Sequence, residues 1–206
     1  MKKIYNNKVR LLLYIMHNAG GKNTNINGLT FEKNTCIENK LIDNNFIKVI
    51  MNPKNKYGYY YELVNENNKI IYLTQSGFKL YFKNIFNINI HKHPDEAFII
   101  ITDNEYKIKI LEKKNQNQDG SVEEKLKTGD FNKREYDKMI NLQNTNTNIT
   151  FIIEYAFCIS KFLQNKFESN NIKYNIIKEI MLEDNINIFY GEDNNYLDEI
   201  YNWIIN

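Results

Sequence analysis

The sequence predicts an α/β (α+β) fold with a mixed central β-sheet flanked by helices. Three observations carry this. Apolar residues recur at helical spacing towards both ends of the chain, two neighbouring runs in the middle alternate as strands do, and a long apolar, aromatic run follows them after an intervening helical stretch. Helical and strand patterns are interleaved along one chain, as expected when helices cover the faces of a sheet.

The elements follow in order. "NKVRLLLYIMHNAGG" has helical periodicity and stops at Gly20-Gly21. "LTFEKNTCIENKLIDNNF" predicts a second helix, with Thr30 as its cap. "FIKVIMN" and "YGYYYELV", separated by "PKNK", read as a hairpin or two neighbouring strands, and "NENNKIIYLT" adds a turn and a third strand. "QSGFKLYFKNIF" continues as an aromatic-rich helix. "HPDEAFIIITDNEYKIKILEKK", residues 93–114, predicts a hairpin that turns at Thr102-Asp103-Asn104. Ser121 and Glu124 make a capping box, so a short helix is expected from Val122 to Gly129, and Asp130 is placed to cap the next one, "FNKREYDKMINLQ". "ITFIIEYAFCIS" predicts a buried strand, "KYNIIKEIMLEDN" an amphipathic helix, "INIFYG" a short strand and "NYLDEIYNWIIN" a closing helix. There is no internal repeat and no long linker. A single domain over 1–206 is expected: a helix and strand portion over 1–90, the chemistry-bearing core over 91–160, and a helix–strand–helix end over 161–206.

Composition narrows the function classes. The chain is 42% hydrophobic and 14% aromatic, too rich for disorder. Its 27 basic and 25 acidic residues leave a net charge of +2, which excludes a polycationic coat but not nucleic acid, since local patches set the field a phosphate feels. Cys36 and Cys158 lie far apart without paired spacing, which suits a reducing, cytoplasmic setting. The opening residues do not read as a signal peptide, because their apolar run is short and is broken by His17 and Asn18. No run approaches the roughly 20 apolar residues that span a bilayer. His17, His91 and His93 make no zinc-site spacing with either cysteine, and G-x-S-x-G, P-loop and G-x-G-x-x-G motifs are missing.

Strand geometry singles out the 93–114 hairpin. Side chains alternate between faces, so Ile108, Ile110, Glu112, Lys114 and Gln116 share one side while Lys107, Lys109, Leu111 and Lys113 share the other. An antiparallel neighbour starting at Asp95 would bring that carboxylate to the rim where Glu112 and Lys114 emerge. Two carboxylates and a lysine are what metal-assisted phosphodiester cleavage needs: hard oxygen ligands for Mg²⁺, and an ammonium group to hold water and share phosphate charge. The backbone carbonyl of Lys113, facing the gap between Glu112 and Lys114, is a further ligand candidate. Taken singly, Asp95 is an ordinary turn residue after Pro94, and Glu112 with Lys114 an ordinary solvated strand end. Glu96 should point away from Asp95 and form a salt bridge or support the ion indirectly. Glu38, on an early helix, could reach the ion or simply face solvent. Gln116 could touch the scissile phosphate or a metal-bound water. Gln116 and Gln118 could also read adenine edges, and Ser121, Lys125, Lys133 and Arg134 could contact DNA phosphates, although loop polarity and a solvated helix face explain them equally.

Pro94-Asp95, the run 96–111 and then Glu112-Lys113-Lys114 together resemble the PD-(D/E)XK nuclease signature, with Asp95, Glu112 and Lys114 on its active positions. The longer strings "KHPDEAFI" and "KILEKKNQNQDGSVEEKL" resemble the core of type II restriction endonucleases. "NGLTFEKNT", "IIYLTQSGFKLYFK" and "INIFYGEDNNYLDEIYNWI" fit the same family, so the resemblance extends over most of the chain. It implies a restriction-endonuclease-like core and Mg²⁺-dependent cleavage, with Mn²⁺ as a substitute. Both strands of a short, palindromic double-stranded DNA sequence would be cut, leaving 5′-phosphate and 3′-hydroxyl ends. It further implies a homodimer, and a cognate DNA methyltransferase without a stable complex between the two. Two alternatives stay open: a repair or junction-resolving nuclease with the same core, and a non-catalytic DNA-binding module on the same fold.

Overall fold

A computed structural model describes residues 22–50, 60–64, 69–117 and 122–206 of the chain. Its centre is a seven-stranded sheet whose strands lie in sequence order: β1 (Ile47–Ile50), β2 (Tyr60–Val64), β3 (Lys69–Thr74), β4 (Glu96–Thr102), β5 (Glu105–Lys114), β6 (Thr150–Ile159) and β7 (Ile186–Tyr190). The first five form an antiparallel meander, whereas β5, β6 and β7 run parallel. Parallel neighbours need crossover connections. These are supplied by α4 (Val122–Leu126) and α5 (Gly129–Asn141) between β5 and β6, and by α6 (Lys161–Phe167) and α7 (Ile172–Glu183) between β6 and β7. The sheet is mixed and flanked by helices, as the sequence predicts.

Each face of the sheet carries its own core. On the front, Ile71, Leu73, Ala97, Ile99, Ile108, Ile110, Tyr155 and Phe157 pack against the crossover helices and against α3 (Gln75–Phe86). On the back, Tyr61, Leu63, Ile70, Tyr72, Phe98 and Leu111 pack against α1 (Lys22–Asn34), α2 (Glu38–Asp43) and the closing helix α8 (Tyr196–Ile205). Strand alternation assigns every one of these residues to its layer. Among the described residues, no helix is long and apolar enough to cross a membrane.

Several local expectations need correction. Thr30 lies inside α1 rather than capping a helix. The helical run breaks instead at 35–37, where the Thr35 hydroxyl donates to the Phe31 carbonyl at 2.7 Å. The β4–β5 turn uses two residues, Asp103 and Asn104, because Thr102 pairs with Glu105; Asp103 takes the left-handed conformation at φ 52°. The residue preceding α5 is Thr128, and Asp130 sits within the first turn, paired with Arg134. Helix α6 is not anticipated by the sequence reading. The expected first helix ending at Gly20-Gly21, the "PKNK" turn and Ser121 of the capping box lie outside the described residues.

The back layer is held close to the sheet at Gly191, just beyond β7. A Cβ there would sit 2.7 Å from both Cys158 Sγ and Thr35 Cγ2, and 2.9 Å from Phe31 Cζ. The same junction is tied by the Tyr196 hydroxyl, which donates to the Thr35 carbonyl at 2.9 Å. Gly191→Ala is therefore expected to push α1 off the sheet and destabilise the chain by about 1–3 kcal/mol. Differential scanning calorimetry should show a Tm fall of roughly 2–4 °C per kcal/mol for a chain of this size.

Candidate active site

Pro94-Asp95 leads directly into β4, and the register Glu96↔Leu111 places Asp95 opposite Glu112 at one rim of the sheet. Both side chains belong to the front face, in line with Ala97 and Ile99 on one strand and Ile108 and Ile110 on the other. Lys114, two residues further along β5, brings its Nζ to 2.8 Å from Glu112 Oε2 and 4.0 Å from Asp95 Oδ2. The three groups that the sequence singles out thus meet on one face of two adjacent strands.

Asp95 is oriented through both of its oxygens. Oδ2 accepts the Lys113 backbone N–H at 2.7 Å, and Oδ1 accepts from Gln75 Nε2 at 3.0 Å. Gln75 opens α3, which is capped by the Thr74 hydroxyl accepting from the Gly77 N–H at 3.3 Å, so this contact is anchored at a fixed helix start. The direction of the Lys113 carbonyl follows from its neighbour. Lys114 O accepts from the Ser160 N–H at 3.2 Å on the β6 side. Successive carbonyls of a strand point to opposite edges, so the Lys113 carbonyl points towards Asp95.

The electrostatics are those of charge removed from water. Burial pushes the Glu112 carboxyl above its usual range, the Asp95 charge pushes the same way, and the Lys114 ammonium draws it back; Lys92 adds a weaker pull downward. The hydroxyls of Tyr136 and Tyr155 are also pushed up, first by burial and then by the Glu112 charge, which locates both rings around this carboxylate. Lys92 is fixed by Asn132 Oδ1 at 2.6 Å and Glu135 Oε2 at 2.8 Å, with its Nζ 5.1 Å from the centre of the Tyr136 ring.

Sequence reasoning missed one acid. Glu32 on α1 lines the same cleft of about 270 Å³ as Asp95, Lys114, Asn115 and Lys125. Its carboxyl is raised by burial and by the Asp95 charge. Glu38, the helical acid singled out instead, is taken up by Lys48 of β1 at 2.9 Å. The helix break at 35–37 separates α2 from α1, so the acid lining the cleft comes one helix earlier. The only sequence signal was its place beside Phe31, the apolar residue that anchors α1 to the back core.

The remaining residues divide clearly. Glu96 faces the back of the sheet and pairs with Lys113. Gln116 is buried just past β5; its backbone N–H donates to Ser160 Oγ at 3.1 Å and its carbonyl accepts from the same hydroxyl at 2.8 Å. Lys125 is exposed in the cleft, so it is the basic candidate placed beside Asp95 and Lys114. Lys133 instead donates to the Asp184 carbonyl at 2.9 Å, and Arg134 pairs with Asp130 on its own helix. Gln118 and Ser121 lie outside the described residues.

The donor set discriminates between metals. Among the described residues, no three His, Cys, Asp or Glu side chains converge into a preformed cage. Two carboxylates with a carbonyl between them fit Mg²⁺, which keeps several waters and commonly takes only one or two protein carboxylates. Burial is the main cause of the raised Glu112 carboxyl, and a cation between the two acids would relieve the part that the Asp95 charge adds. Comparison with protein-family models, curated proteins and solved structures gave no significant match.

Because Glu112 ionises less readily in the fold than in the unfolded chain, its charge costs stability. The cost sets in as pH rises through the unfolded carboxylate range and is complete above the folded pKa. Glu112→Gln should therefore melt higher than the parent chain in metal-free buffer at neutral pH. The gap should close in acid, where the protonated carboxyl resembles the amide. Melting curves across this range check the sign.

Proposed function

We propose that the chain is a Mg²⁺-dependent, site-specific DNA endonuclease of the type II restriction class, built on a PD-(D/E)XK core. The observation that carries this reading is the convergence of Asp95, Glu112 and Lys114 at one rim of two antiparallel central strands, with Lys114 Nζ within 2.8 Å of Glu112 and 4.0 Å of Asp95. All three positions hold residue types competent for phosphodiester hydrolysis, and the spacing in sequence agrees with the meeting in space.

Asp95, Glu112 and the Lys113 carbonyl would hold the ion, with Mn²⁺ as a substitute. An ion held by these groups would supply charge neutralisation at the phosphate and a more acidic water. The chain's own contribution is positional and electrostatic. Lys114, oriented by Glu112, holds the attacking water in line with the scissile bond and shares the charge on the phosphate oxygens. Asp95 is kept from turning by Gln75 and the Lys113 N–H. Lys125 gives the cleft a cation for the DNA backbone, and Asn115 lines the same cleft beside it. Attack of water on phosphorus with cleavage of the P–O3′ bond, the departing 3′-oxygen taking up a proton from water, leaves a 5′-phosphate and a 3′-hydroxyl. Cutting both strands of a palindrome calls for two copies of the site related by a two-fold axis, hence a homodimer.

Asp95→Ala and Lys114→Ala should each lower Mg²⁺-dependent cleavage of double-stranded DNA by roughly 10²–10⁴-fold while leaving DNA binding largely intact. Cleavage kinetics paired with gel-shift titrations check this. Persistent cleavage by either variant would remove the site from the reading.

A further inference from the structure

Lys113 stands between the two active positions of β5 yet turns its side chain away from them. Its backbone points along the sheet towards the β4 edge, where the N–H donates to Asp95 and the carbonyl is presented to the site. Its side chain, 2% exposed, passes to the back of the sheet and pairs with Glu96, 5% exposed, at 2.9 Å. The same Nζ donates to the Glu32 carbonyl at 2.9 Å, and the Tyr72 hydroxyl donates to the other Glu96 oxygen at 2.6 Å. The two strands that carry Asp95, Glu112 and Lys114, and the helix that carries Glu32, thus each have a member in this buried network. Glu96 follows Asp95, Lys113 separates Glu112 from Lys114, and the Glu32 backbone is held directly. Tyr72 brings in β3, whose end leads through Thr74 to Gln75, the other partner of Asp95.

Solvation alone does not account for the arrangement. Leu111, next along this face, is fully buried in the back core, so an apolar residue at 113 would suit the layer. A buried ion pair contributes little net stability over apolar residues of similar volume, but it fixes which groups face each other. Resting on the nuclease reading above, we propose that Lys113 is a positioning residue: through its buried pair with Glu96 and its bond to the α1 backbone, it locks β4, β5 and α1 in the register that lets Asp95, Glu112 and its own carbonyl share one divalent ion.

The test uses the full chain and two readouts. Calorimetric titration with Mn²⁺ alone, without DNA, measures the ion site independently of catalysis. Plasmid cleavage separates kcat from KM. The double variant Glu96→Gln/Lys113→Met removes both buried charges at nearly constant volume, avoiding a lone buried ion. It should melt close to the parent chain, bind Mn²⁺ about 10-fold more weakly or worse, and lose a similar factor in kcat, with KM for DNA unchanged. A folded double variant with parental Mn²⁺ affinity and kcat would overturn the proposal. Should the double variant not fold, Tyr72→Phe decides alone: removing that hydroxyl is expected to weaken Mn²⁺ binding and kcat several-fold in the same pattern, and parental values for both overturn the proposal. A parent chain that leaves DNA intact in Mg²⁺ overturns the nuclease reading itself, and the positioning role with it.

Discussion

The antiparallel register of β4 on β5 is the constraint on which the rest of the structure depends. Glu96 pairs with Leu111, and Asp95 therefore stands opposite Glu112. A slip of one residue would send Asp95 to the back of the sheet and Glu96 to the front, because side chains alternate strictly along a strand. The apolar pairs Ala97↔Ile110 and Ile99↔Ile108 oppose such a slip, since it would turn one member of each away from the front core and put Glu96 or the β5 lysines there. Hydrophobic burial thus contributes to the register in which two like charges are held together. The result is a site that is electrostatically unfavourable on its own, with Glu112 half-neutralised by Lys114 and still disfavoured by burial and by Asp95.

The same alternation explains why a central strand carries so much charge. In β5 every buried polar side chain has a defined partner. Lys109 donates to the Trp203 carbonyl and pairs with Glu154 at 3.0 Å, Lys113 pairs with Glu96, and Glu112 pairs with Lys114. Lys109 ties the sheet to the closing helix α8 and Lys113 ties it to α1 through the Glu32 carbonyl, while the Glu112–Lys114 pair stands at the front. Burying a charge unpaired is costly, whereas burying it paired is close to neutral and adds orientation. Charge at the strand ends is therefore used to fix how layers dock and what the rim presents.

The strands and most helices were legible because their periodicities are strong. The 93–114 hairpin, the buried strand over 150–159 and the closing helix all follow directly from period-two or helical patterns. The meeting of Asp95, Glu112 and Lys114 was legible for the same reason, since two regular strands and a short turn leave little freedom. What was not legible came from tertiary context. Glu32 could not be separated from Glu38, because the choice rests on a helix break at 35–37 that is stabilised by the Thr35 back-bond and by packing of Gly191 against Thr35 and Phe31. Gln75 gave no sign that it would reach across to Asp95. Lys133 is held by the Asp184 carbonyl in the turn after α7 and Arg134 pairs with Asp130, contacts that only the packed chain contains.

The most direct measurement is digestion of a sequenced plasmid with the purified chain in Mg²⁺ and, in parallel, in chelator, followed by mapping and chemical analysis of the ends. Fragments with unique termini carrying 5′-phosphate and 3′-hydroxyl groups, formed only when the divalent ion is present, are what two carboxylates and a lysine at this rim should yield. Plasmid left intact in Mg²⁺, or cut equally well in chelator, would contradict the claim that these three side chains form a metal-dependent nuclease centre.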